Sequence, residues 1–461
     1  MKKKTFTKLA YDSANDMIYG TCPNPVTTKQ GVVVGGGDII PELNFTLPTM
    51  PVNDSTIKDA CKIYSDMING VLKRCVDLQQ KSVIVEYETL PDFTEHPEYG
   101  TEVVKIILDA MNEYNAKYGL KAALRATPND MREMSRPPIM RSGSKYWDGM
   151  LELFDNCGKL GADFISIEST GGKELDDEAL VEADIRRVIF ALGVCACRDM
   201  EFLWDHIVDV CDKSNMIPGG DSSCGFANTA MVLADRGFIP KTFAAVVRVA
   251  TVPRALVAYE RGAYGPSKDC EYVGPYIKAI TGCPVAMEGK SAAGAHLSEV
   301  GNIAAAVADM WSNESIQQVR LLSDMAPVVG MEQLIYDCRL MNTAKNMGKG
   351  NDMRDMLVES DSPLSVQAYV LRPDVAFDLS QKIIASDDPF IRTKIACAET
   401  VKVLQSAIED GKVACGERDE AWLDMMADAI DEIPDTPEEF YEDIKDELDD
   451  SKYRPEEYLL K

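Results

Sequence analysis

From residue 82 onward, short continuous apolar runs alternate with segments whose apolar residues recur at helical spacing, and this alternation limits the folds open to the chain. The run SVIVEYE (82–88) reads as a buried strand. It is followed by a helix carrying Val103, Ile106, Ile107, Ala110 and Tyr114, which closes at Gly119, and then by a strand over 121–126. The unit repeats, with a helix through Tyr146, Met150, Leu151, Phe154 and Cys157, a stop at Gly161 and a strand over 163–167. Further strands are expected at 216–220, 255–259 and 284–287, separated by helices near 227–236, 241–252 and 297–311. Strands apolar throughout their length, each followed by an amphipathic helix, imply a parallel sheet covered by helices. The regular spacing favours an α/β fold of the TIM (β/α)8 barrel type, with the two strands still to be found expected at 192–197 and 319–322.

The flanks read differently. The first 50 residues contain the turn-rich segments CPNP (22–25) and GGGD (35–38) and are expected to form a covering arm. A helix follows, with Ile57, Cys61, Tyr64, Ile68 and Leu72 on one face. Beyond Asn342 the strand pattern stops, and the acid-rich stretches that follow read as solvated helical faces. The expected division is an arm and helix over 1–80, a catalytic barrel over 81–341 and a helical extension over 342–461.

A formal net charge of −27 argues against phosphate backbones and anionic lipid as partners. The Lys-rich start lacks the apolar core of a signal peptide, and the sequence reading finds no run approaching the length of a membrane span, so a cytoplasmic protein is expected. Thirteen irregularly spaced cysteines do not make a disulfide framework; most are expected to be small buried hydrophobes, Cys195 and Cys197 among them.

In a barrel of this kind the loops after the strands build the active site. Three such loops carry metal-ligand chemistry: Glu168 in ADFISIESTGGKE, Cys224 in MIPGGDSSCGFANTAM and Cys270 in ALVAYERGAYGPSKDC. Two thiolates and a carboxylate fill three positions of a tetrahedral zinc and leave the fourth open, which distinguishes a catalytic site from a structural one. Glu88, Asp221, Glu260 and Glu288 are further carboxylates at expected strand ends. Gly289–Lys290–Ser291 and the glycines near Val34 lack the spacing of nucleotide loops.

The segments SIESTGGKE, GDSSCGFANTAM, ALVAYERGAYGPSKDC, KAITG, MEGK and WSNES resemble the zinc-containing methanol:corrinoid methyltransferase subunit of methylotrophic methanogens and acetogens, along nearly the whole chain. The resemblance implies Glu168, Cys224 and Cys270 as zinc ligands, methanol as methyl donor and Co(I) of a corrinoid on a partner protein as acceptor. It is compatible with a homodimer inside a hetero-oligomer. Ser222, Ser223, Gly225 and Phe226 depart from the archaeal pattern beside the second ligand. Hydroxide leaves methanol poorly, so a Lewis acid on oxygen is needed. An assisting acid is also expected, with Asp221 and Glu260 as candidates. None of His96, His206 and His296 stands in Asp-x-His-x-x-Gly, so the corrinoid is expected on a separate protein, and His206 is expected to be a packing histidine. Two competing readings are a barrel acting on another small methyl donor and a non-catalytic zinc barrel partnering a corrinoid protein. A thiol-methylating zinc enzyme would require a His-x-Cys pair that the chain lacks.

Overall fold

The computed structural model describes residues 4–46, 50–135, 142–268, 272–316, 320–321 and 324–460. Seven parallel strands form one curled sheet: β1 (Ile40–Thr46), β2 (Ser82–Glu88), β3 (Lys121–Thr127), β4 (Phe164–Ile167), β5 (Ile217–Asp221), β6 (Ala286–Glu288) and β7 (Met310–Ile316). Their spatial order is β5-β4-β3-β2-β1-β7-β6. Helices cover the outer face, and those beyond Asn346 pack on them as an all-helical region in the described residues 347–460.

Period-two alternation assigns each strand two unlike faces. Leu43, Phe45, Val83, Val85, Tyr87, Leu124, Ile165, Ile167 and Trp311 point outward into the core shared with the helices. On the inner face only the amino-terminal positions are apolar: Ile40, Ile84, Ala123, Phe164, Ala286 and Met310 pack against Val26, Val32 and Val34. Those three valines belong to the hairpin of Thr21–Thr27 with Val33–Gly36, which plugs that end of the sheet. Further along, the inner face turns polar with Glu42, Asn44, Glu86, Arg125, Thr127, Ser166 and Ser312, all buried.

Arg125 organises this polar interior. Its guanidinium, fully buried, donates to Glu42 Oε1 on β1 at 2.7 Å, to Ser166 Oγ on β4 at 2.8 Å and to the carbonyl of Pro266 at 3.0 Å. Pro266 lies in the segment 262–268, which runs between the two edge strands. Tyr264 N–H donates to the Pro218 carbonyl of β5, and Ser267 Oγ accepts from Ala286 N–H of β6 at 3.3 Å.

Several sequence expectations are corrected here. Residues 255–259 are helical, within Val252–Arg261, because a run buried on every side loses the periodicity that separates strand from helix. Residues 192–197 are helical for the same reason. Of 319–322, Arg320–Leu321 pairs among the described residues only with Asp324–Met325, and residues 319 and 322 lie outside the described residues. Within 297–311 a short 3-10 turn precedes β7, which starts at Met310. Within the expected arm, Ile40–Thr46 is a central strand whose inward Glu42 and Asn44 mask its buried character. The helical run Lys241–Arg261 has the length and apolarity of a membrane span, and all of its apolar window is buried inside the fold.

Replacing Arg125 with Met should cost about 3–5 kcal/mol, the usual penalty for stripping a buried carboxylate of its cation. The double change Arg125→Met with Glu42→Gln should recover part of that loss. Urea unfolding of the three chains measures both; an undiminished Arg125→Met midpoint would show that the pair does not hold the sheet's curl.

Candidate metal centre

Glu168 is the residue immediately after β4, and the turn that follows it is tied on every side. Thr170 N–H and Oγ1 both donate to Asp130 Oδ2, at 2.9 and 3.1 Å, and Asp130 is itself paired with the buried Arg132–Asp199 couple. At Gly171 a Cβ would lie 2.1 Å from Asp199 Cγ, so no side chain fits. Gly172 has φ +84°, a left-handed conformation that glycine adopts freely, and its N–H donates to Tyr458 Oη at 3.1 Å. The glycines of ESTGGKE therefore serve close approach and chain reversal.

The second loop begins at Asp221, the last residue of β5, and is stitched to the first. Ser222 N–H donates to the Ile167 carbonyl at 3.1 Å. Asp221 Oδ1 accepts from Ser169 N–H at 3.3 Å, Ser169 Oγ at 3.1 Å and Arg254 at 2.8 Å, while Oδ2 accepts from Trp204 Nε1 at 3.1 Å. Arg254 also donates to the Ser222 carbonyl at 3.1 Å and to Ser169 Oγ. Burial pushes the Asp221 carboxyl up, and Arg254 beside it opposes that shift. Cys224, 1% exposed, is the first residue of the Cys224–Asp235 helix, and its N–H donates to Ser222 Oγ at 3.0 Å. At the next residue, Gly225, a Cβ would stand 3.2 Å from Glu168 Oε1. The Glu168 carboxylate thus lies against the first turn of the helix that Cys224 heads.

Cys270 lies outside the described residues, and the nearest described residues on either side, Lys268 and Tyr272, are anchored. Lys268, fully buried, pairs with Glu88 at 3.2 Å and Glu86 at 3.7 Å. Tyr272 Oη donates to Glu288 Oε2 at 3.1 Å, and its ring lies beneath Arg248, 4.3 Å from the guanidinium. Tyr272 is also close enough to Cys224 for the two to interact electrostatically. Glu288, His296 and Glu314 bring one ligand atom each within 4.8 Å of one another beside this tyrosine.

Of the residues picked from the sequence, Glu168 and Cys224 are brought together. Asp221, suggested as an assisting acid, has both oxygens engaged, Oδ1 in joining the two loops and Oδ2 by Trp204 on the Cys197–Ser214 helix. Glu260, suggested in the same role at a strand end, lies instead on the Val252–Arg261 helix, paired with Arg392 at 2.9 Å. His206 packs on Trp147 and Phe202 with its Nδ1 2.8 Å from the Phe202 carbonyl, the packing role expected of it. Cys195 and Cys197 are buried, again as expected. Sequence reasoning missed Arg254, Lys268, Tyr272 and Arg248. A signal existed for two of them, since Arg248 and Arg254 each interrupt an otherwise apolar run, KTFAAVVRVA and TVPRALVA.

A parallel α/β fold that gathers a carboxylate, a buried thiol and further ionisable groups at the carboxyl ends of its strands is built as an enzyme. The family model of the methanol-cobalamin methyltransferase B subunit, MtaB, matches residues 3–459, and the chain belongs to that family. It is 34% identical over 465 residues to the methanol–corrinoid protein co-methyltransferase of Methanosarcina barkeri, covering 99% of this chain and 100% of the relative. Its structure resembles the crystal structure of the methanol:cobalamin methyltransferase complex MtaBC from Methanosarcina barkeri, with a TM-score of 0.94 at 33% identity, 99% of this chain and 100% of that chain being covered.

Next to this site, Asp176 on the Lys173–Glu182 helix is fully buried, and neither of its carboxyl oxygens finds a hydrogen bond among the described residues. Burial raises its pKa well above the ordinary carboxyl range, with Asp177 adding to the shift and Lys173 and Arg254 opposing it. The folded state therefore favours the protonated form. That contribution to stability is complete below the unfolded value of about 3.9 and is lost as pH rises through the raised folded value. Asp176→Asn, neutral throughout, should be more stable than the native chain at pH 7, with the gain shrinking toward pH 4. Denaturation curves at pH 4 to 8 decide it, and parallel pH profiles for the two chains would contradict the assignment.

Proposed function

We propose that the chain transfers the methyl group of methanol to the reduced corrinoid of a separate carrier protein, using zinc held by Glu168, Cys224 and Cys270. The observation that carries this reading is the Glu168 carboxylate seated against the turn headed by Cys224, in a chain similar over its full length to methanol–corrinoid methyltransferases. The donor set suits zinc, since carboxylate and thiolate are among its ordinary ligands. Cys224 stands at the amino terminus of a helix, where the aligned peptide dipoles favour a thiolate. Lys268 and Tyr272, each two residues from Cys270 in sequence, are both anchored, Lys268 by Glu88 and Tyr272 by Glu288. In this reading the sheet is a closed barrel in which segment 262–268 takes the eighth position. The arm's hairpin closes the amino-terminal end, and the helical region after Asn342 braces the opposite rim.

Bound zinc would supply Lewis acidity at the alcohol oxygen, weakening the bond to carbon. The chain's own residues do the rest by holding geometry. Asp221 and Arg254 lock the Glu168 and Cys224 loops to each other, and the interior pairs Lys268–Glu88 and Arg125–Glu42 fix the floor beneath them. The carrier protein would dock over this rim and exclude water from the reduced cobalt.

The purified chain should hold about one zinc and transfer no methyl group until a reduced corrinoid is supplied. Cys224→Ala and Cys270→Ala should each lose zinc and reduce transfer beyond the roughly 10–100-fold typical of residues that only support ligands, while circular dichroism stays native. Full transfer by either metal-free variant would falsify the zinc assignment. Methanol should also be used far better than ethanol, because an added methyl crowds the approach of a corrinoid to carbon. A hydrophobic pocket alone rejects one methylene by only about 1–3 kcal/mol. Comparable kcat/KM for the two alcohols, with carrier protein and zinc saturating, would exclude methanol as the specific donor.

A further inference from the structure

Five arginines are among the largest fully buried side chains: Arg125, Arg132, Arg248, Arg254 and Arg392. Four have a carboxylate partner, respectively Glu42, Asp199, Asp221 and Glu260. Arg248 has none among the described residues. Its Nη2 lies 3.1 Å from Met231 Sδ and donates to Gln367 Oε1 at 3.1 Å, its face covers the Tyr272 ring at 4.3 Å, and Nε and Nη1 meet no acceptor among the described residues. Burying a guanidinium without a counter-ion is expensive, and a methionine would fill similar space without that penalty. Packing alone therefore does not account for an arginine here.

Its three contacts account for it. Tyr272 stands two residues beyond Cys270. Met231 lies two turns along the helix that Cys224 heads, and Gln367 lies in the carboxyl-terminal helical region. A cation stacked on an aromatic face is held more strongly when water is excluded, as it is here. The surrounding strand ends are rich in carboxylates, with Glu288 close enough to Arg248 to interact with it electrostatically.

We infer that Arg248 is a positioning residue of the metal centre: stacked on Tyr272 and in contact with Met231, its cation ties Tyr272 to the helix headed by Cys224, and its charge offsets the anionic ligand set. This rests on the zinc reading above. An outer group that orients a ligand characteristically affects metal retention by 10–100-fold.

The test uses the full-length, zinc-loaded chain and two readouts other than turnover: the rate of zinc loss to a chelator, and the thiolate-to-metal absorption of the Co(II)-substituted protein. Arg248→Met keeps length and removes charge. It should lose zinc about 10–100-fold faster and shift the Co(II) band, with Arg248→Lys, which restores charge without the planar face, falling between. If Arg248→Met does not fold, Tyr272→Leu removes the stack while retaining the arginine and should show the same two changes. Native zinc retention and a native Co(II) spectrum in Arg248→Met, or in Tyr272→Leu where that variant carries the test, overturn the assignment. A native chain that takes up no zinc removes the metal reading and this inference together, whereas a zinc-binding native chain beside an equally retentive variant removes only the role of Arg248.

Discussion

Asp221 and Arg254 form an ion pair of 2.8 Å with both side chains out of solvent, and the arrangement of the strand-end loops depends on it. A buried pair of this kind is tolerable only when its remaining lone pairs and protons are used. Here most of them are used, although Arg254 Nε meets no acceptor among the described residues. The carboxylate takes Ser169 and Trp204, and the guanidinium takes Ser169 and the Ser222 carbonyl. Residues one position from Glu168 and two from Cys224 are thereby fixed to each other, so these side chains approach on a rigid frame rather than on two independent loops.

The same logic extends down the sheet interior. A small apolar layer and the hairpin seal the amino-terminal end, and above it the interior is charged, balanced by Arg125 and Lys268. An oily interior would give a more forgiving core. A polar one is demanding because each unpaired group carries a desolvation cost, but it lets buried charges tie strands that are far apart in sequence. Arg125 joins β1 and β4 to the segment 262–268, and Lys268 ties the approach to Cys270 back to β2.

Much of this was legible from the chain. SVIVEYE reads as a strand because β-branched residues crowd it, and the helices ending at Gly119 and Gly161 announce their stops through left-handed glycines. The Glu168 and Cys224 loops stood out because a carboxylate and a thiol each followed an apolar run among glycines and serines. Residues 255–259 misled because a helix buried all round presents no polar face to reveal its period, and that error carried Glu260 to a strand end it does not occupy. Ile40–Thr46 was obscured for the converse reason, since its buried interior positions are Glu42 and Asn44.

Taken by itself, the sequence determined the alternation of strands and helices, the places where ligand-type residues follow strands, and the membership signalled by motifs spread along the whole chain. These are local properties, written in residue type and spacing. Which charges face one another was decided only by the tertiary structure: Asp221 with Arg254, Glu260 with Arg392, Lys268 with Glu88, and Arg248 left over Tyr272 without a carboxylate partner among the described residues. Such pairings join residues up to 180 positions apart, and nothing in the local pattern around either partner selects the other. The selection comes from how helices and loops pack on the ends and outer face of the curled sheet, and from the energetic need of a buried charge for a partner.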